Sequence, residues 1–204
     1  MRLTAVLTGL AAMAMSLPAG TINFSGGGSL GASNTYGLVT ANAYLSNGTA
    51  GTLFGKGSAG GTGSEDGLGL TADPTGDDEI FAKLRNGNSA SDFIQLDITK
   101  LSGTIQISMG STGGDTWAVY GSNTLGVKGT TQLASGGSDD ASEITVTNAT
   151  SYMYLDVVAL TNNVLIQDLH YAGSESSVPE PGTLSMLGFG GVLIGLVRRK
   201  RHQN

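Results

Sequence analysis

Two histidines and sixteen carboxylates are the groups in this 204-residue sequence best suited to moving protons or holding a metal ion, and there is no cysteine to add a thiolate. A serine-based triad needs an imidazole base and a carboxylate that orients it. His202 stands in a basic terminal tail, which leaves His170 as the base, with Asp168 two residues away on the same predicted strand face. No serine sits on a strand-to-helix elbow, however, and period-two alternation alone puts polar pairs on the outer face of a strand. No catalytic residue is assigned on this basis. The run Asp73-Pro74-Thr75-Gly76-Asp77-Asp78-Glu79 is the densest acidic cluster. Its carboxylates at Asp73, Asp77, Asp78 and Glu79 are the hard oxygen ligands that Ca²⁺ takes, so a structural calcium ion is the one cofactor suggested. Ser138-Asp139-Asp140 is a smaller version. Neither run matches an EF-hand loop or the RTX nonapeptide, and a solvated acidic loop is the competing reading.

Other chemistries leave weaker traces. Gly26-Gly27-Gly28 and Gly60-Gly61-Thr62-Gly63 lack the Lys-Ser/Thr ending of a phosphate-binding loop and the GxGxxG spacing, so they are turns or linkers. Trp117, Tyr120, Tyr152 and Tyr154 would make a sugar-stacking platform if one face exposed them, although burial preference puts Trp117 in a core. Two carboxylates facing each other across a groove would serve glycoside hydrolysis, but the sequence does not pair them. Asn23, Asn47 and Asn148 begin N-x-Ser/Thr sequons in a chain rich in those residues.

The elements that would position these groups are short strands. Ile94, Leu96 and Ile98 alternate with Gln95 and Asp97; Ile105, Ile107 and Met109 with Gln106 and Ser108; Ile144 and Val146 with Thr145 and Thr147. Such alternation predicts strands with one buried and one wet face. Trp117 to Tyr120 make another strand, Met153, Leu155 and Val157 lie opposite Tyr152, Tyr154 and Asp156, and the last strand runs from Val164 to Tyr171. Turn clusters are expected at Ser111–Gly114, Ser135–Asp140 and Thr161–Asn163. From Thr21 to about Gly69 the reading is short strands with long turns, and the stretch from Gly57 to Gly67 has no apolar residue that would offset the entropy of ordering. Seven or more short strands without helices predict an all-β fold, an antiparallel β-sandwich with jelly-roll topology as a further step.

Thirty-three glycines and 13% charged residues fit such a turn-rich fold. Between Gly20 and Val178 five basic residues stand against fifteen acidic ones, a net charge of −10. That surface repels phosphates, so nucleic acid is excluded as a partner.

Both ends carry addresses. Met1-Arg2 followed by the apolar run Leu3–Met15 has the layout of a secretory signal peptide, with cleavage after Ser16 or after Ala19. At the other end Pro179-Glu180-Pro181 is followed by an uncharged stretch to Val197 and then by Arg198-Arg199-Lys200-Arg201. The prolines hold the motif extended. A helix over 182–197 is roughly 24 Å long, marginal for a hydrocarbon core of about 30 Å, and the four cations stop transfer and stay cytoplasmic. Gly188, Gly190, Gly191 and Gly195 within that run favour a transient signal over a permanent anchor. A single-pass anchor is the competing reading.

This order of motif, short apolar helix and Arg-rich terminus over Val178–Asn204 resembles the PEP-CTERM sorting signal. The stretch from Trp117 through Gly121-Ser122-Asn123 to Asn163-Val164-Leu165-Ile166 is also similar, more loosely, to the core of short PEP-CTERM proteins. The resemblance implies an exosortase-type membrane protease as partner, with Pro179, Glu180 and Pro181 as its recognition element. It also implies a Gram-negative, exopolysaccharide- or biofilm-associated setting, with extracellular polysaccharide as a second partner. The expected organisation is a signal peptide (1–19), a secreted β-sandwich (20–172), a linker with the motif (173–181), a transmembrane sorting helix (182–197) and a basic cytoplasmic tail (198–204). The expected function is a non-catalytic cell-envelope or matrix protein, transiently anchored in the inner membrane and then placed at the cell surface or outside it. A carbohydrate-binding module and a small glycosidase or lyase are the alternatives.

Overall fold

A computed structural model describes residues 19–57, 65–71, 78–82, 91–110, 114–137 and 143–174. Among them are fifteen strands, no α-helix and a single 3₁₀ turn, Ala149–Ser151. The strands are β1 Gly20–Asn23, β2 Gly28–Gly31, β3 Ser33–Tyr36, β4 Val39–Tyr44, β5 Thr52–Lys56, β6 Gly67–Thr71, β7 Ile80–Phe81 and β8 Phe93–Asp97. They continue with β9 Leu101–Met109, β10 Thr116–Ser122, β11 Thr131–Gly137, β12 Ile144–Thr145, β13 Tyr154–Thr161, β14 Asn163–Val164 and β15 Ile166–Ser174.

All pairings are antiparallel, and the chain crosses repeatedly between two large sheets. The first runs β12-β9-β15-β6-β5-β2, with β1 added beside β15; the second runs β11-β10-β13-β8-β4-β3. A small third pair joins β14 to β7. One hydrophobic cluster draws on both large sheets: Leu53, Leu68, Ile105, Ile107 and Leu169 from the first meet Val39, Ile94, Leu96, Trp117, Val119, Leu155 and Val157 from the second. Period two explains this, because each strand turns alternate side chains to the shared interior. The alternating set read from the sequence is in it: Ile94, Leu96, Ile98, Ile105, Ile107, Met109 and Val146 are buried, with Ile144 packed against the cluster half-buried.

The expected wet faces hold only in part. In β9 Gln106 is half-exposed, but Ser108 is buried; in β8 Gln95 is fully buried, and in β13 so is Asp156. Met153, expected on the inner face, is 44% exposed and lies before β13 begins. The cause at Gln95 and Asp156 is a cover on the outer face of the second sheet, described below. Ser135, Gly136 and Gly137, expected in a turn, instead belong to β11 opposite Ala118, Trp117 and Thr116, and the rest of that expected turn lies outside the described residues. A Cβ at Gly136 would come within 2.8 Å of the Trp117 ring, so the glycine there gives the indole room within a strand.

Candidate functional site

Three polar constellations stand out among the described residues. The first lies on the outer face of the first sheet, where register puts Thr21 of β1 beside His170 of β15 and His170 beside Gln106 of β9. His170 Nδ1 is 2.9 Å from Thr21 Oγ1, and its Nε2 is 3.2 Å from Glu143 Oε1. The imidazole is thus held on both nitrogens, at the side of a groove of about 430 Å³ lined also by Gly20, Thr104 and Tyr171. Gly20 lets the Tyr171 ring lie on the backbone, since a Cβ there would run into the phenol. Asp168, the orienter suggested by sequence, instead faces Ser108, with Oδ2 3.5 Å from Oγ. Glu143 was missed because it reaches the site from beyond β11, where no local pattern points to it.

The second constellation involves part of the expected calcium cluster. Asp73 and Asp77 lie outside the described residues. Asp78 adopts φ 58° and its carbonyl lies against Gly69, where a Cβ would collide with it. Glu79 is buried, with its carboxylate on the Lys56 ammonium, and Glu65 takes the same ammonium at 2.9 Å. Glu79, one of the four expected ligands, therefore faces a cation. Burial pushes its pKa up to about 7 against the opposing pull of Lys56, and the Glu65 charge adds to the rise. Among the described residues no three Asp, Glu, His or Cys side chains gather as a metal site.

The third is a buried network on the outer face of the second sheet. Gln95 Nε2 donates to Asp156 Oδ1 at 2.7 Å and to the Thr124 carbonyl at 3.3 Å, while its Oε1 accepts from the Gly126 N–H at 2.8 Å. Asp156 Oδ2 accepts from the Gly129 N–H at 2.7 Å, and Ser122 Oγ donates to the Val127 carbonyl at 2.7 Å. The chain after β10 thus folds back over β8 and β13. Gly129 permits it, since a Cβ would strike the Gly121 carbonyl, and Gly126 takes a left-handed φ of 75°. Burial lifts the Asp156 pKa to about 6, against the hydrogen bonds from Gly129 and Gln95 and the pull of Lys128.

The aromatic platform does not form as a set. Trp117 is in the core at 1% exposure, Tyr152 packs on Gly121, and Tyr120 lies under the Lys128 ammonium at 4.4 Å from its centroid. The expected sorting residues Pro179, Glu180 and Pro181 and the basic run Arg198, Arg199, Lys200 and Arg201 lie outside the described residues, as do residues 1–18 of the expected signal peptide. No helix among the described residues is long and apolar enough to cross a membrane.

A search of curated proteins found no match to this chain. A family comparison did: residues 177–201, which hold the Pro-Glu-Pro motif, the apolar run and the arginines, match the PEP-CTERM protein-sorting motif.

Proposed function

We propose that this protein is exported by its N-terminal signal, held in the inner membrane by the helix over 182–197, and cut by an exosortase-type protease that reads Pro179, Glu180 and Pro181. The core then remains as a non-catalytic β-sandwich of the cell envelope or extracellular matrix, with polysaccharide as its partner there. The observation that carries this reading is the match of residues 177–201 to the sorting motif. The net charge of −10 over the exported core supports it, because such a surface does not adhere to anionic lipid headgroups once the tail is gone. The two-sheet core supports the sandwich, since both sheets share one cluster. Replacing Pro179 and Pro181 with Ala tests it in the native host: export continues and the uncut precursor accumulates in the membrane. Unchanged processing overturns the reading.

A glycosidase or lyase reading has one observation in its favour. Glu79 and Glu65 meet at the Lys56 ammonium, and burial raises the Glu79 pKa to about 7, the direction that a general acid needs. Bond cleavage in a neutral polysaccharide that Glu79→Gln abolishes would establish it. Absence of cleavage by the folded wild type removes it.

A further inference from the structure

Asp156 sits on the outer face of its sheet and is nevertheless fully buried, bonded to a segment of the same chain that leaves Leu125 and Val127 each 55% exposed. Side-chain bonds anchor it: Gln95 holds the segment at Thr124, Gly126 and Val127, Ser122 at Thr124 and Val127, Asp156 at Gly129, and Asn123 Oδ1 accepts from the Met153 N–H. We propose that segment 123–130 is a lid over the outer face of β8 and β13, latched by Asp156 and Gln95, which is held shut in mildly acidic surroundings and loosens as the pH rises to neutral.

The sign follows from solvation. A closed lid keeps the carboxylate out of water with two neutral donors, and a charge so placed is unfavourable unless paired. The groups facing it are Tyr120 opposite in β10, Tyr154 and Asp97 in the next row, Tyr44 from β4, and Lys128 on the lid. Only Lys128 is a cation, and its ammonium lies over the Tyr120 ring. Opening returns Asp156 to water and to an ordinary value of 3.8, whereas closed it titrates near 6. Protons favour the state that binds them more tightly, so acid favours the closed lid. Those two values imply an open-to-closed ratio about tenfold higher at pH 7.5 than at pH 5.

Amide hydrogen exchange on the full chain in detergent micelles tests this, read as protection factors so that intrinsic pH dependence divides out. Protection at Gly126 and Gly129 should fall about tenfold from pH 5 to pH 7.5, while Val119 and Val157 in the paired centre of β10 and β13 hold theirs. Asp156→Asn should remove the fall. Constant or rising protection in the lid overturns the proposal, as does an equal fall in Val119 and Val157 or an unchanged fall in the folded variant. If the variant does not fold, the wild-type comparison of lid with strand amides still decides.

Discussion

Gln95 and Gln106 occupy the same phase of two alternating strands, and their substitution by leucine separates a pattern-based account from a structural one. Alternation alone makes both outward-facing, so both changes should be nearly neutral, as surface substitutions usually are. The structure makes them different. Gln106 is half-exposed beside the His170 groove, and a leucine there should cost under about 1 kcal/mol. Gln95 is fully buried and its amide serves the Gly126 N–H, the Thr124 carbonyl and Asp156 Oδ1. A leucine of similar volume leaves all three without that partner. The two loop groups regain water if the segment lifts, but Asp156 keeps one donor fewer for a buried charge. At about 1–3 kcal/mol for each buried polar group left unsatisfied, offset by the apolar gain of leucine, the net loss should be about 2 kcal/mol. Urea midpoints at pH 7.5 measure it, provided the slopes agree. At pH 5, where Asp156 is largely protonated in the fold, the Gln95→Leu loss should shrink. Equal losses for the two variants, or a Gln95→Leu loss that is larger at pH 5, would refute the covered-face account.

Three other outcomes are expected. Ile107, fully buried between Leu169 and Ile144, should lose several kcal/mol on change to Asp, while Gln106→Asp costs under about 1 kcal/mol; urea midpoints of the two compare them. Gly136→Val should lose about 1–3 kcal/mol in the same assay, because its Cβ would press on Trp117 and Ile144, and a neutral result would mean that β11 can move away from the indole. Glu79 titrates near 7 in the fold against 4.5 as its ordinary value, so the native state holds the extra proton between these values. Its contribution is full below pH 4.5 and is lost as pH rises through 7, about 2 kcal/mol between pH 5 and pH 8. Stability measured across that window should fall in the wild type and flatten in Glu79→Gln; equal slopes would place the titration elsewhere.

What the sequence revealed and what it hid divide along a physical line. The sorting tail was legible because its parts act as a linear string: two prolines fix local backbone, an apolar run has a length, and four cations have a sign, none of which requires a tertiary neighbour. The buried faces of β8 and β9 were legible for a related reason. Ile94, Leu96, Ile105 and Ile107 meet an interior that every strand shares, so period two suffices to place them. The outer faces were not, because what lies over them comes from far along the chain. Gln95 is covered by residues about thirty positions later, Glu143 reaches His170 from the entry of β12 across the one intervening strand β9, and Lys56 meets Glu79 through the approach of β5 to β7's entry. In each case a polar residue in the wet phase of its strand became a partner of a distant polar group. A lone Gln or Asp in such a phase carries no mark of the difference. The mark is in the covering segment: Gly126 and Gly129 stand where a left-handed φ is needed or a Cβ would collide, which is what a chain requires to lie flat on a sheet. Glycines spaced closely after a strand and flanked by exposed Leu125 and Val127 thus signal a segment folded back on its own sheet, and the polar residues of that sheet are then its anchors.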